Sequence, residues 1–450
     1  NIMNLQAKLA KLEEMKSACK TASPARERIT ALFDEGTFTE LDGFVACGDK
    51  GVGVITGYGS IDGSIVYAFS QDVSTCGGAV SRAHAEKIAK VYEMAVKNGA
   101  PVVGIYDSNG AKVSEGQEVL ASYQKILSMS QNLSGVVPQI AVIAGSCVGV
   151  NAMMAATADI SVMAEGASLY LVNDGSDTSA KAQAEAGVVS MVASDPMDAV
   201  KKAKEVLSVL PLNNLELAPI SEGAASAPAS IDEKTASEEL AKAVCDAESV
   251  IELKADYAKH VYTALASIGG STVGVVSVKG KLCDGCSAKA ASFVRFCDSF
   301  NLPVVTFVDT DGYKEGTTPA AAANLASVYA EATCAKVTVY TGAAIGASAM
   351  AFGAADVRLA WPTAVISALA PATAVEFFWH DRLKGAEDTA GTRAALEEEY
   401  ADTEASAFSA ATAGMVDDVV APDETRASLI MALDALASKR VQRLAKKHSC

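Results

Sequence analysis

The chain states much of its sequence twice, and this repetition limits what it can fold into. Ser60-Ile61-Asp62-Gly63-Ser64-Ile65-Val66-Tyr67-Ala68-Phe69-Ser70 returns as Ser267-Ile268-Gly269-Gly270-Ser271-Thr272-Val273-Gly274-Val275-Val276-Ser277, identical at six of eleven positions. Pro101-Val102-Val103, Asp107, Gly110 and Lys112 return at the same spacing as Pro303-Val304-Val305, Asp309, Gly312 and Lys314. Val142, Gly145, Gly149, Ala152-Met153 and Ala158-Asp159 return as Val339, Gly342, Gly346, Ala349-Met350 and Ala355-Asp356. Echoes in one order mark a duplicated domain, because a solenoid would repeat every ~20–50 residues. A duplicated fold carries two similar sites, which suits chemistry that joins two substrates.

Half of the 450 residues are apolar, enough for two cores in domains of roughly 200 residues each. The net charge of −17 argues against a nucleic-acid partner, whose phosphates need a positive surface. Ten cysteines, unevenly spaced in a long chain without a recognisable secretory leader, are expected to be reduced thiols in the cytoplasm. The sequence begins at Asn1 rather than Met, so a trimmed leader stays open. Residues 140–158 and 337–355 are uncharged over a length that would cross a bilayer. Each starts β-rich, breaks at Gly145 or Gly342, continues with Ala and Met, and ends at an Asp. That pattern reads as a buried strand, a tight turn and a buried helix.

The expected organisation is a helix over 4–20, strands at 53–56 and 65–69, a helix over 81–97 and a strand at 102–106. Strands alternating with helices predict an α/β core with parallel pairing. The Ala/Pro/Ser run at 224–230 lies in a stretch that reads as an exposed linker. The domains are therefore 1–215 and 241–450, joined by 216–240. In the second, Val250-Ile251-Glu252-Leu253 echoes Phe38-Thr39-Glu40-Leu41. After Trp361 the chain reads as Ala-rich and helical, closing with a helix over 424–446.

The repeat places two glycine turns after strands in each half. Asp107-Ser108-Asn109-Gly110-Ala111 is echoed by Asp309-Thr310-Asp311-Gly312-Tyr313, and Gly145-Ser146-Cys147-Val148-Gly149-Val150 by Gly342-Ala343-Ala344-Ile345-Gly346-Ala347. Glycine lets the backbone approach a ligand closely. A turn that opens a helix also offers main-chain N–H groups with no intrahelical partner. Converging turns of this kind make an oxyanion hole.

Other chemistry has less support. The chain has no G-x-G-x-x-G, Walker loop or G-x-S-x-G. Cys283-Asp284-Gly285-Cys286 is a lone C-x-x-C, and a structural zinc would need two more ligands. No metal is expected. His84, His260, His380 and His448 are scattered, and His380-Asp381 reads as a surface or capping pair. Few histidines and many main-chain turns favour oxyanion stabilisation over a side-chain acid–base pair.

These residues bring a family into view. The chain resembles the carboxyltransferase subunit of biotin-dependent acyl-CoA carboxylases and decarboxylases, the type found in propionyl-CoA carboxylase beta and in the alpha subunits of methylmalonyl- and glutaconyl-CoA decarboxylases. The resemblance rests on Arg26-Glu27-Arg28-Ile29, Phe69-Ser70-Gln71-Asp72 with Gly77-Gly78, and Asp107-Ser108-Asn109-Gly110-Ala111-Lys112. It continues through Phe293-Val294-Arg295-Phe296-Cys297-Asp298, Ala360-Trp361-Pro362-Thr363-Ala364 and Asp417-Asp418-Val419-Val420-Ala421-Pro422, in family order over 20–430.

The resemblance implies a tandem pair of crotonase-like (ClpP/crotonase) β-β-α superhelical domains. It implies that the first domain holds the acyl-CoA, with Gly77, Gly78, Asn109, Gly110, Ala111 and Lys112 at the CoA. Biotin on a carrier protein would meet the second domain, by Gly312, in another subunit of a homo-oligomer. The family's mechanism implies two oxyanion holes, Gly149-Val150 for the thioester and Gly346-Ala347-Ser348 for biotin. Partners would be a biotin carboxyl carrier, a biotin carboxylase or membrane decarboxylase subunits, because this chain has no biotinylation site and no ATP-grasp-like loop.

Departures from the family pattern are also present. Val150 stands where Gly is usual, and Ala347-Ser348 where Gly-Ala is usual. Asn109 and Lys112 replace Gly and Arg. Met350 occupies a position linked to acyl choice, and the 173–194 segment is short. A non-catalytic paralogue that binds acyl-CoA or the carrier is therefore an alternative. So is a stand-alone crotonase-like hydrolase or isomerase, which would need Glu115 or Glu118 as acid or base.

Overall fold

Each half of the repeat builds the same run of elements in the computed structural model, which describes residues 4–46 and 51–444. The chain divides into two units, Asn1–Leu217 and Ala218–Cys450.

In the first unit, Thr39–Leu41, Val54–Ile61 and Ser64–Gln71 pair antiparallel. The sheet then continues in parallel through Val102–Tyr106, Gln139–Ile143, Ile160–Ala164 and Met191–Ala193. In the second unit, Ile251–Leu253, Val261–Ile268 and Ser271–Lys279 are antiparallel. Val304–Thr310, Lys336–Ile345, Val357–Ala360 and Asp418–Val419 follow in parallel.

The first echo in the sequence is a hairpin in both units. Its turns are Asp62-Gly63, with φ of 49° and 78°, and Gly269-Gly270, with φ of 59° and 87°. Two left-handed residues match the natural twist of a tight hairpin, hence the Asp-Gly and Gly-Gly pairs. Parallel neighbours need a crossover, which Arg82–Asn98 and Asp284–Ser299 supply. Arg82–Asn98 starts on the Ser81 hydroxyl, which accepts from His84 N–H, and stops at Gly99 with φ of 58°. The parallel strands Val102–Tyr106, Gln139–Ile143 and Ile160–Ala164 are buried throughout, as strands covered on both faces must be.

The repeated Asp after each buried helix fixes strand register. Asp159 Oδ2 accepts from Gln139 N–H at 2.8 Å while Asp159 N–H donates to Gln139 O at 2.9 Å. Asp356 does the same with Lys336, at 2.9 Å in both directions.

Several expectations need correction. The strand Lys336–Ile345 runs straight through Gly342. Gly342 and Gly145 do not open the helices. A Cβ at these positions would lie 2.5 Å and 2.1 Å from the carboxylates of Asp309 and Asp107, so the absence of a side chain makes room for an acid. The helices Val150–Ala156 and Gly346–Ala351 open five and four residues later, respectively.

The region after Trp361 is not wholly helical, because Val365–Ser367 and Asp418–Val419 join the sheet. Among the described residues the last helix is Thr425–Leu436. It ends early because Lys439 turns back, its Nζ 2.9 Å from both Cys334 O and Asp356 Oδ2. Residues 445 and 446 lie outside the described residues. The segment read as a linker is tied to the second unit by Ser221 N–H to Gly270 O at 2.8 Å and Ala247 N–H to Ala224 O at 2.8 Å. It also gives its last residues to the Ser237–Val244 helix. Cys147, Cys245, Cys283, Cys286, Cys297 and Cys334 are free thiols, but Cys19 is disulfide-bonded, contrary to the all-thiol reading. Among the described residues, no helix is long and apolar enough to cross a membrane.

Candidate functional site

In the first unit the predicted residues meet because the sheet ends in turns that bond to one another. The first turn, residues 72–79, follows the Ser64–Gln71 strand. Cys76, Gly77 and Gly78 all have positive φ, at 52°, 64° and 65°. At Gly78 a Cβ would lie 2.6 Å from Asp107 O, so a side chain is excluded by contact as well as by conformation.

The second turn follows Val102–Tyr106. Ser108 Oγ donates to Gly78 O at 2.6 Å, and Asn109 N–H to Gly77 O at 2.9 Å. Val80 N–H donates to Gly110 O at 2.8 Å, and Lys112 N–H to Val80 O at 2.9 Å. The third turn joins through Ser108 N–H, which donates to Ser146 O at 2.8 Å. Gly77, Gly78, Asn109, Gly110, Ala111 and Lys112 thus share one edge. Asn109, Ala111 and Lys112 are exposed there.

This edge is braced from below. Arg28 Nη1 lies 2.7 Å from Asp107 Oδ2, and both side chains are mostly buried. Gln71 Oε1 accepts from Asp107 N–H at 3.2 Å. His84, fully buried, lies 3.4 Å from Gln71 Nε2 and 3.1 Å from Val52 O. Burial pushes its pKa down to about 3, so this imidazole is neutral and structural at working pH.

Gly149 has φ of 60° and ψ of −126°, a region that only glycine occupies freely. Its own N–H is taken by Tyr170 O at 3.0 Å. The first i→i−4 bond of the following helix runs from Met153 N–H to Gly149 O at 3.2 Å. The N–H groups of Val150 and Asn151 come before that bond, so helix geometry leaves them without an intrahelical acceptor. Chain neighbours aside, no atom of the described residues lies within 4 Å of the place a Gly149 Cβ would take.

The second unit repeats this frame. Leu282 N–H donates to Gly312 O at 3.0 Å and Lys314 N–H to Leu282 O at 2.7 Å, matching Val80, Gly110 and Lys112. Thr310 Oγ1 bonds Gly312 O at 3.2 Å, as Ser108 Oγ bonds Gly110 O at 3.4 Å. Ala343 N–H donates to Asp309 Oδ1 at 2.9 Å. Gly346, with φ of 59°, opens the helix that carries Ala347, Ser348 and Met350. Ala347 and Met350 are exposed, and Ser348 is buried with its hydroxyl on Ile345 O at 2.7 Å.

Known proteins can now be set beside this geometry. The carboxyl transferase domain family matches residues 20–450. The chain belongs to this family. It is 34% identical to methylmalonyl-CoA decarboxylase subunit alpha of Propionigenium modestum, over 94% of this chain and 92% of that one. It is 36% identical to the mitochondrial propionyl-CoA carboxylase beta chain of Homo sapiens, over 94% and 87% of the two chains. In structure it is similar to transcarboxylase 12S, a hexamer assembly with hydrolysed methylmalonyl-coenzyme A bound. The TM-score is 0.90 at 32% identity, covering 100% of this chain and 99% of that one. The fold is thus the crotonase-like fold of the carboxyltransferases, in tandem.

Within this carboxyltransferase, two residues escaped sequence reasoning. Asn151 is buried, and its Nδ2 has no hydrogen-bond partner among the described residues. Met153 is exposed at the helical position that matches Met350. The repeat itself carried the signal, since Asn151 aligns with Ser348 and Met153 with Met350. Glu115 fits an acid–base role poorly. Its Oε2 accepts Arg82 N–H at 2.7 Å and its Oε1 lies 3.6 Å from Lys112 Nζ. His380 is exposed, but it lies beside Glu376 at 3.7 Å, while Asp381, its expected partner, pairs with Lys384 at 2.9 Å. Among the described residues, no cluster of three or more His, Cys, Asp or Glu could hold a metal.

Proposed function

We propose that this carboxyltransferase moves a carboxyl group between biotin on a carrier protein and a short-chain acyl-CoA, the CoA thioester lying in the first unit. The observation that carries this reading is the doubled turn. Gly149 and Gly346, both with positive φ, open matched helices in matched sheets. Carboxyl transfer requires two carbonyl oxygens to take up negative charge, and preorganised main-chain donors are the means of holding such charge.

In the first unit the donors are Val150 and Asn151 N–H rather than Gly149, whose N–H is already bonded. They would stabilise the thioester enolate as the α-proton leaves. Open space in front of Gly149 suits a thioester carbonyl. Asn109 and Lys112, exposed on the zipped edge beside Gly77 and Gly78, would hold the CoA.

In the second unit, Ala347 and Ser348 N–H occupy the matching register, and, chain neighbours aside, no atom of the described residues lies within 4 Å of the place of a Gly312 Cβ. These residues fit the flat ureido ring of biotin. When bound, biotin supplies the nitrogen that carries the carboxyl group and receives the α-proton. In this reading the chain is cytoplasmic and works as a homo-oligomer, with biotin meeting the second unit of another copy. Its partners are a biotin carboxyl carrier protein with a biotin carboxylase or with membrane decarboxylase subunits.

The test uses purified protein with malonyl-, methylmalonyl- or glutaconyl-CoA and free biotin or a biotinylated carrier. Carboxybiotin formation from one thioester is the expected result. CoA-thioester binding without transfer would overturn the reading in favour of a non-catalytic paralogue.

A further inference from the structure

The C-x-x-C of the second unit has no part in the carboxyl-transfer reading, and its geometry is that of a reactive dithiol. Cys283 caps the helix Asp284–Ser299, its Sγ accepting from Cys286 N–H at 3.3 Å. The two sulfurs lie 3.1 Å apart, in hydrogen-bond contact, and a disulfide needs them about 1 Å closer. The cysteines differ in access. Cys283 is partly exposed, whereas Cys286 is 1% exposed.

Capping alone does not call for sulfur here. At the matching position of the first unit, the hydroxyl of Ser81 caps Arg82–Asn98 in the same way. Nor does a metal account for the pair, because no third ligand completes a cluster among the described residues. Burial raises both thiols. At Cys283 it is outweighed by hydrogen bonds from Cys286 Sγ–H and from the Cys286 and Gly285 N–H groups, and by the Lys314 ammonium, so this thiol sits below its ordinary value. Burial and the bond to Cys283 push Cys286 up to about 11.

We propose that Cys283 and Cys286 form a thiol–disulfide exchange site that takes small disulfides, with Cys283 as the attacking thiol and Cys286 as the resolving thiol. The Cys283 thiolate attacks one sulfur of an external R–S–S–R. That bond breaks, RS⁻ leaves, and a mixed disulfide forms on Cys283. Cys286 gives its proton to this RS⁻ and its sulfur attacks Cys283 Sγ. The second RS⁻ leaves and takes the proton that Cys283 had released to solvent. The protein loses two thiol hydrogens, and the external disulfide becomes two thiols. A helix N-terminus and an i, i+3 spacing favour this order of attack. The site lies against the Gly312–Thr318 loop: Leu282 bonds Gly312 and Lys314, and Asp284 Oδ1 accepts Thr318 N–H at 2.8 Å.

The test is peptide mapping of the full-length protein after exposure to oxidised glutathione, with free thiols alkylated. The expected product is a Cys283–Cys286 disulfide, formed before buried Cys147, Cys245, Cys297 and Cys334 react and reversed by dithiothreitol. Cys286→Ser should stop at a mixed disulfide on Cys283. Cys283→Ser, which keeps a Ser81-like cap, should leave Cys286 unmodified. The proposal is overturned if the wild type shows no Cys283–Cys286 linkage. It is also overturned if Cys286 in Cys283→Ser reacts as fast as Cys283 in Cys286→Ser. None of these readouts depends on carboxyl transfer, so failure of that reading would leave them intact.

Discussion

The two units share a sheet, a hairpin and a glycine turn at each matching place, yet they differ where the second hairpin strand meets its crossover helix. In the first unit residues 72–79 intervene, with three consecutive left-handed residues and the Gly77-Gly78 pair bonded to Ser108 and Asn109. In the second only Gly280 and Lys281 stand between Lys279 and Leu282. The acid beneath the site differs too. Asp107 is paired with Arg28 at 2.7 Å, whereas among the described residues Asp309 has no such ion pair. Duplication thus kept the left-handed glycine that opens a helix, Gly149 and Gly346, in both units. The extra loop and its brace belong to the unit that, in our reading, receives the larger ligand.

The largest expected effect comes from the brace. Arg28→Met strands a mostly buried carboxylate and should cost about 3–5 kcal/mol in denaturant unfolding. Asp309→Asn, which weakens one bond to Ala343, should cost about 1 kcal/mol. Equal losses would erase the asymmetry. The next effect is symmetric. Gly145→Ala and Gly342→Ala each push a Cβ into an aspartate and should each cost about 1–3 kcal/mol by the same assay. A silent Gly342→Ala would break the equivalence of the two turns.

A pH effect is expected from the first unit. Asp159 is raised to about 7, chiefly by desolvation, with the Gln139 N–H pulling the other way. From about pH 4 to 7 the unfolded chain ionises this acid while the folded chain keeps it protonated, so stability falls as pH rises through that window. Asp159→Asn should flatten this part of the curve in thermal unfolding measured against pH. The smallest effect is expected at the exposed Met350. Met350→Ala should leave stability within about 0.5 kcal/mol, while altering the ratio of kcat/KM between malonyl- and methylmalonyl-CoA severalfold.

The duplication made most of this legible in advance. The hairpin, the crossover helices and the second and third turns repeat in sequence because each depends on local features: a left-handed pair, a cap, a glycine. What escaped depends on contacts between distant residues. Gly145 and Gly342 read as turn glycines, and only the fold brings each against an aspartate at the end of the neighbouring strand. Gly149 read as an oxyanion donor, but its N–H goes to Tyr170, a partner that spacing does not reveal. Nothing local marks Leu436 as a helix end, because the stop is set by the reach of Lys439 to Asp356. Asn151 passed as an ordinary helix residue, since an unpartnered amide is visible only once its surroundings are packed.

The most direct test of the division of labour uses the repeat's own pair of exposed lysines. The dissociation constant of methylmalonyl-CoA would be measured calorimetrically for the wild type, Lys112→Gln and Lys314→Gln. If the first unit holds the CoA, Lys112→Gln weakens binding about tenfold, equivalent to about 1.4 kcal/mol, and Lys314→Gln leaves it unchanged. Equal losses, or a larger loss in Lys314→Gln, would contradict the account.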